Sequence, residues 1–386
     1  MKAIVCGAGI AGTALAWHLE RDGWDVELVE RAPAFREGGY MIDFYGPGLE
    51  AAERMGVRPR LEEVRHPVHE IGYVDGSGRE TSRLAVKAGF AEVVSLLRGD
   101  LARVLAEQVR APVRYGTTVA AVRQHDGDDG GVEVELTDGT RHEADLLVGA
   151  DGVHSRVREL VFGPEERFVR YLDHHVAAYM IEDEDLSRLV GPRYRMLTVP
   201  HLMAGAYAVG GNRLALLFLR HEPDPAVPAD PAASLREHFG HLGWILPEVL
   251  GACPQPPELY YDQVTQVETP QWSSGRVVLL GDACQAVSLF AGHGASLAVA
   301  AAWVLAGELR AASSGEVSPA LDRYAARMRP VVAEVQAFGR RFLPWMAPPS
   351  RLRITARDWL LRLASLPGAD RLFMNSLTAG GHRLIT

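Results

Sequence analysis

Three short runs of the chain contain no polar residue and each stops at a glycine: Ala3-Ile-Val-Cys6 before Gly7, Leu146-Leu-Val148 before Gly149, and Val277-Val-Leu-Leu280 before Gly281. Apolar residues at every position of so short a run are the pattern of parallel strands covered on both faces. After the first run, Gly7-Ala-Gly9-Ile-Ala-Gly12 leads into apolar positions at near-helical spacing through Leu19, and Asp25-Val-Glu-Leu-Val-Glu30 reads as a second strand ending in an acid. The opening of the chain therefore predicts a strand, glycine turn, helix, strand unit.

Elsewhere the period changes. Short alternating runs from about Pro67 to Val86, around Gly76-Ser-Gly78, predict a hairpin of a second sheet. Ser95 to Asp100 leads into a helix through Val109 with Asp100 as its cap, and Val113–Val122 and Val132–Leu136 read as strands. Val176–Ile181, Tyr194–Val199, Ala204–Val209 and Leu214–Leu219 predict an antiparallel sheet, with Leu259–Val267 as one more strand. Ala291–Leu309 is an alanine-rich helix, and beyond Pro319 the pattern is helical, broken into pieces by Pro330, Pro344, Pro348 and Pro349. The apolar runs come from three distant parts of the chain, so the first domain is expected to be discontinuous, built from 1–66, 98–165 and 275–312. The second sheet, 67–97 and 166–274, is inserted into it, and 313–386 forms a C-terminal helical region.

Composition narrows the choice of partners. With 386 residues the chain can fill two packed units, and a net charge of −9 argues against nucleic acid. No run of about eighteen apolar residues is evident, so no membrane span is expected. The first strand begins with no basic and apolar leader before it, which points to a cytoplasmic protein. Cys6, Cys253 and Cys284 are too few and too scattered for a disulfide framework or a metal site. Arginines at 323, 327, 329, 340, 341, 351, 353, 357 and 362 read either as a solvated helical face or as a surface that meets an anionic partner or membrane headgroups.

The glycines carry the first chemistry. Gly7 permits the tight turn, Gly9 lets the backbone approach a pyrophosphate, and Gly12 lets the helix pack on the strand, so the helix amino end points at phosphate. Glu30, about twenty residues on, is placed for an adenosine ribose and would repel a 2′-phosphate, which suits FAD or NAD better than NADP. Taken with Glu30-Arg31, the Asp151-Gly-Val-His-Ser155-Arg-Val-Arg158 run and Gly281-Asp282-Ala-Cys-Gln followed by Gly292-His-Gly294, this turn resembles the three fingerprints of class A flavoprotein monooxygenases. That family includes p-hydroxybenzoate hydroxylase and the tetracycline-inactivating monooxygenases. The resemblance spans nearly the whole chain and implies an α/β fold: a discontinuous Rossmann-like FAD-binding domain, an inserted antiparallel-sheet substrate domain and C-terminal helices.

The same resemblance implies that FAD is held by Gly7, Gly9, Gly12, Glu30, Arg31, Arg98, Asp151, Asp282, Gly292 and Gly294. It also implies that NAD(P)H is a transient reductant with no second glycine turn of its own, and that oxygen reaches a small, largely apolar ring compound through a C4a-hydroperoxyflavin. Asp151 and Arg158 have a second reading, as a pair that holds their own turn. Three positions depart from the family: Gln285 where His is common, Ser288-Leu289 where a Pro-Pro pair is common, and His293 where Gln is common. The partner called for is a small-molecule substrate, bound by a monomer or homodimer.

No side chain is singled out as catalytic. Should the substrate be a phenol or enol, a base would activate it, and His174, His175, Tyr179, His201 and Tyr207 are the candidates. Tyr40, Met41, Asp43 and Phe44, after the Gly38-Gly39 pair, are wall candidates by position in the family, and His293 is open to flavin or substrate. Alternation puts Leu214, Leu216, Phe218 and Arg220 on one strand face, predicting an apolar pocket wall with one charge. Two other readings stand beside this one: a flavin-dependent reductase of the geranylgeranyl type, and a flavin-binding scaffold without turnover. Substrate-stimulated NAD(P)H oxidation with oxygen uptake separates all three.

Overall fold

The three apolar runs lie side by side. In the computed structural model, which describes residues 1–35, 40–66, 68–85, 93–125, 130–289, 292–312 and 317–364, Ala3 pairs with Leu146 and Leu147 with Val277, all in parallel register.

The chain opens with β1 (Lys2–Cys6), α1 (Ile10–Arg21) and β2 (Asp25–Glu30), then β3 (Met41–Tyr45), α2 (Gly46–Arg54) and α3 (Arg58–Glu63). The hairpin β4 (Glu70–Val74) and β5 (Glu80–Ala85) is followed by β6 (Val93–Leu97) and α4 (Arg98–Ala106). Next come β7 (Val113–Tyr115), β8 (Val119–Gln124), β9 (Val132–Leu136), β10 (Arg141–Ala144), β11 (Leu146–Gly149) and α5 (Arg156–Phe162). The middle holds β12 (Val169–Glu182), α6 (Glu184–Val190), β13 (Tyr194–Val199), β14 (Leu202–Ala208), β15 (Arg213–His221), α7 (Pro231–Phe239), α8 (Leu246–Gly251) and β16 (Tyr260–Val267). The last part is β17 (Ser273–Ser274), β18 (Val277–Leu279), α9 (Asp282–Gln285), α10 (Gly294–Ala311), α11 (Val317–Met346) and α12 (Arg351–Ala364).

The first sheet has the order β17-β18-β11-β1-β2-β7, parallel except at the β17 edge. The second is seven-stranded, β16-β12-β15-β14-β13-β4-β5, antiparallel except where β13 runs parallel to β4. Its two faces have different covers. Tyr179, Leu214, Leu216 and Phe218 pack into a cluster with Leu235 and Phe239 of α7 and Leu246 and Val249 of α8. Val176, Met196, Met203 and Leu219 look the other way, toward Leu343 and Met346 of α11 and Leu361 of α12.

Several expectations are revised. Val113–Val122 is two strands, because Gly116 at φ +72° turns the chain: β7 joins the first sheet and β8 a small sheet with β9 and β10. Asp100 does not cap α4. It lies inside the first turn and pairs with Arg103 at 2.5 Å. β6 pairs with β3, not with the β4–β5 hairpin. Pro330 and Pro344 sit inside α11, which continues through both. A helix-interior proline costs about 3 kcal/mol, and burial of Leu321, Tyr324, Met328, Val332 and Val335 at helical spacing, at roughly 1.5–3 kcal/mol per large side chain, offsets it. α10 is long and apolar enough by composition to span a bilayer, the one such helix among the described residues. It packs instead as a core helix against α1, α2 and α11. Gly38 and Gly39 lie outside the described residues.

Candidate active site

The cofactor side is built from backbone. Gly7 adopts φ +104°, and a Cβ there would run into the Ala150 carbonyl. A Cβ on Gly12 would run into the Gly7 carbonyl and lie 3.2 Å from Val5 Cγ1, so α1 can approach β1 only without a side chain. At Gly9 the same test meets nothing within 4 Å, which leaves an open cradle at the amino end of α1. The Glu30 carboxylate accepts the Ala8 N–H at 3.0 Å and the Ala32 N–H at 2.8 Å, fixing it at the mouth of this turn. Arg31 follows it and is exposed.

The second and third turns close on the first. The Ala150 N–H donates to Cys6 O at 2.7 Å, which brings the turn after β11 against the glycine turn. Asp151 accepts Ser155 Oγ at 2.5 Å and the Val157 N–H at 3.1 Å, and Ser155 caps α5 through the Arg158 N–H at 3.0 Å. Burial pushes the Asp151 carboxyl above its ordinary value and these hydrogen bonds oppose the rise. Gly281 has φ +61°, and a Cβ there would sit 2.6 Å from Ala11 Cβ of α1. Arg158, fully buried, donates to Ala283 O at 3.0 Å and Val153 O at 2.7 Å and pairs with Glu165 at 3.4 Å. It therefore ties the second turn to the third and does not close on Asp151.

Beyond the turns lies a deep cleft. Asp282, Asp43 and Tyr260 keep open surface yet are surrounded by protein on nearly all sides, as side chains on the walls of a trough must be. Enclosure pushes the Asp282 carboxyl up, and the nearby Arg98 guanidinium pulls it back. The Arg98 N–H donates to Tyr40 O at 3.0 Å, and the Tyr40 ring lies 5.8 Å from that of Tyr260. At the start of α10, His293 holds Tyr45 Oη at 2.9 Å, and Ser296 Oγ accepts the Tyr45 N–H at 3.2 Å. Gly292 has φ +69°, and Gly294 opens α10 with free space where a Cβ would stand.

One wall is the β3–β6 ribbon. Alternation splits it: Phe44 is fully buried in the first core, whereas Met41, Asp43 and Tyr45, paired with Leu97, Ser95 and Val93, form the other face. Asp43 accepts Ser95 Oγ at 2.5 Å, and enclosure raises its carboxyl above the usual range. The Met41–Leu97 end of the ribbon packs directly on the second sheet. Leu97, Tyr207, Val209 and Ala215 cluster with Met41 and Met180, Tyr207 Oη accepts the Met41 N–H, and Tyr194 meets the Tyr207 ring edge-on at 5.4 Å.

Residues 1–213 and 258–338 match the FAD binding domain family, and all three turns fall within the match. The chain belongs to the class A flavin-dependent monooxygenases. It is 30% identical to a flavin-dependent monooxygenase of an unknown prokaryotic organism, over 88% of each chain. It is 31% identical to the FAD-dependent monooxygenase asL6 of Sarocladium schorii, over 87% of this chain and 86% of that one. Among solved structures it resembles tetracycline destructase Tet(55) with a TM-score of 0.82 at 27% identity, covering 100% and 98% of the two chains. Klebsiella pneumoniae HpxO, complexed with FAD and uric acid, shares the fold at a TM-score of 0.81 and 24% identity, over 98% and 95%. The monooxygenase is an FAD enzyme with a Rossmann-like cofactor domain.

Not every candidate reaches the cleft. Tyr40, Asp43 and His293 border it, and Tyr207, buried, backs the ribbon through the Met41 N–H. Phe218 and Arg220 do not: they sit on the opposite face of the second sheet, where Phe218 stacks on Tyr179 at 5.7 Å and Arg220 pairs with Glu222 at 2.7 Å and His238 at 2.9 Å. Strand alternation fixes that these residues share a face and is silent on which face, and α7 and α8 cover this one. Tyr179 is spent on the Val249 carbonyl at 2.8 Å, and His175 meets Tyr261 on that same side. His174 Nδ1–H donates to Leu172 O and meets His221 edge-on, itself beside His201, away from the cleft residues. Tyr45, Ser95, Tyr194 and Tyr260 were not among the candidates. Period two from Asp43 could have found Tyr45, whereas nothing local marks the others. Among the described residues no group of His, Cys, Asp or Glu side chains could hold a metal.

Proposed function

We propose that this monooxygenase hydroxylates a largely apolar ring compound bearing an ionisable hydroxyl, with NAD(P)H as transient reductant, and that the compound sits against the Asp43–Tyr45 end of the β3–β6 ribbon, beyond the point where Met41 and Leu97 pack on the second sheet. FAD, when bound, supplies electron transfer and oxygen activation. The chain's residues fit it: the open cradle at Gly9, Glu30 held beside it and suited to a ribose, Asp151 and Asp282 at the ends of adjacent strands, Arg31 next to Glu30, Arg98 near Asp282, and Gly292 and Gly294 beside the amino end of α10 would hold it.

One observation carries the substrate class. Asp43 is the single acid on the cleft face of the ribbon, in a wall otherwise of Met41, Tyr45, Val93, Ser95 and Leu97. A carboxylate held by Ser95 and raised by enclosure is a better proton acceptor than a free one, and it would take the hydroxyl proton of a phenol or enol, making the neighbouring ring carbon electron-rich. His293 and Tyr45 would orient the ring, Tyr207 would hold the ribbon through the Met41 N–H, and the aromatic and apolar walls exclude water. The likeness to a tetracycline destructase and to a protein complexed with uric acid supports a ring substrate with acidic protons.

The purified yellow protein should consume oxygen with NADH or NADPH when given tetracycline or simpler hydroxylated ring compounds, and yield a product one oxygen atom heavier. Cofactor oxidation without oxygenated product across such a panel would sink the reading.

A further inference from the structure

The last described helix, α12, is apolar on the wrong side. Leu352 is 80% exposed, Trp359 60%, Leu360 49% and Leu363 44%, a concentration of open large apolar side chains on one helix. At about 100° per residue, Leu352, Ala356, Trp359 and Leu363 form one stripe with Leu360 beside it. The opposite side is anchored: Arg357, 2% exposed, donates to Thr198 Oγ1 at 2.8 Å, pairs with Asp358 at 3.0 Å and lies 3.8 Å from the Tyr73 ring centre, while Leu361 packs into the core. Thr81 Oγ1 donates to Asp358 at 2.8 Å, and Arg362 donates to Thr81 O at 2.7 Å. The helix is thus fixed to the second sheet with its stripe turned outward.

The charges beside the stripe say what covers it. Arg353 flanks one edge and Arg351 and Arg362 the other, and none of them has an acidic partner among the described residues. The only acid of α12, Asp358, is already taken by Arg357 and Thr81. A second copy docked through the same stripe would bring arginine against arginine, with no unengaged carboxylate on either helix to neutralise them. An anionic, apolar-cored surface matches both features: leucines and a tryptophan enter the boundary of the acyl chains while arginines on either edge meet the phosphates. That this patch is cationic in a chain of net charge −9 makes it local, not a consequence of overall composition.

We propose that the α12 stripe docks the protein peripherally on an anionic membrane surface. The test is co-sedimentation of the full-length flavoprotein with vesicles of phosphatidylglycerol and phosphatidylcholine, against vesicles of phosphatidylcholine alone. Two variants accompany it, Trp359→Ser with Leu363→Ser, and Arg351→Glu with Arg353→Glu, each checked for unchanged flavin content. The expected result is binding to the anionic vesicles that weakens at least about tenfold on neutral ones and in both variants, and that falls with added salt. Absence of binding by the full chain would overturn the proposal, as would equal binding to both vesicles. A concentration-dependent dimer in light scattering that Trp359→Ser with Leu363→Ser abolishes would assign the stripe to a second copy and also overturn it.

Discussion

The two sheets build their halves of the active site from different material. On the first sheet the site is main chain: glycines at 7, 12 and 281 leave out atoms so that three turns can meet, Gly9 leaves the cradle open, and a buried arginine fastens two of the turns. On the second sheet and the β3–β6 ribbon it is side chain: Asp43 and Tyr45 from β3, Tyr194 from β13, Tyr207 from β14 and Tyr260 from β16 meet around the site. Asp43 and Tyr260 are exposed, and Tyr207 is buried behind them. Backbone devices tolerate almost no change and act on whether flavin is held. Side-chain devices tolerate change and act on what is oxidised. Substitutions can break this contrast or sharpen it.

The largest effect is expected at Gly12. Any Cβ meets the Gly7 carbonyl, so Gly12→Val forces α1 off β1 and opens the turn, a loss of about 3 kcal/mol or more. The purified variant should be colourless, read as flavin absorbance per protein, and full flavin content would show that the turn is not where the cofactor sits. Arg158→Ala comes next. It strands the Ala283 and Val153 carbonyls, while Glu165, partly open to solvent, keeps His154 at 2.9 Å, so the cost is that of the two lost buried hydrogen bonds to a charged group, about 3 kcal/mol. Denaturant unfolding with flavin bound should register that loss, and a change within error would mean the second and third turns hold together without it.

Phe218→Ala tests the other side of the contrast. Its ring stacks on Tyr179 and meets Phe239 edge-on at 5.1 Å, so truncation should cost about 3–5 kcal/mol in unfolding experiments. KM should not move, because the ring faces α7 and not the cleft. A raised KM in a variant with intact flavin would place the pocket on the covered face after all.

Asp43→Asn should keep flavin and stability while lowering kcat about a hundredfold or more, the usual worth of a positioned base. The sign of its pH dependence follows from enclosure. The folded carboxyl stands above its ordinary value, so the deprotonated, proton-accepting form fills in only above the usual carboxylate range near about 4. In the parent enzyme the rate should climb with pH through that raised value. In the variant that limb should vanish, and activity should return as pH ionises the substrate directly. A pH profile unchanged by the substitution would remove Asp43 from the chemistry.

What could be read in the sequence divides along the same line. The glycine turn, the Asp151 turn and the Gly281 turn are local constraints, and a local constraint leaves a local motif, which is why the cofactor half was legible. The ribbon was not, because β6 pairs with β3 across more than one intervening helix and hairpin, and no period in either strand announces its partner. The face of β15 was ambiguous for a related reason. Its alternation is the same whether α7 and α8 or the cleft lies above, and only the tertiary cover decides. Pro330 and Pro344 show the reverse case, where a strong local signal gives way to a long buried stripe.

The smallest effect is expected where sequence reasoning had placed the pocket's one charge. Arg220 lies on the covered face, held at 2.7 Å by Glu222 and at 2.9 Å by His238. The pair is mostly enclosed and lies against α7, so its loss falls on stability and not on the cleft. Arg220→Ala should therefore leave kcat/KM within about twofold, since a change of 1.4 kcal/mol would be needed for tenfold. A tenfold fall confined to anionic substrates would return Arg220 to the site and require the second sheet to present its other face to the flavin. An unchanged kcat/KM, beside the lost rate of Asp43→Asn, would locate substrate recognition on the ribbon side alone.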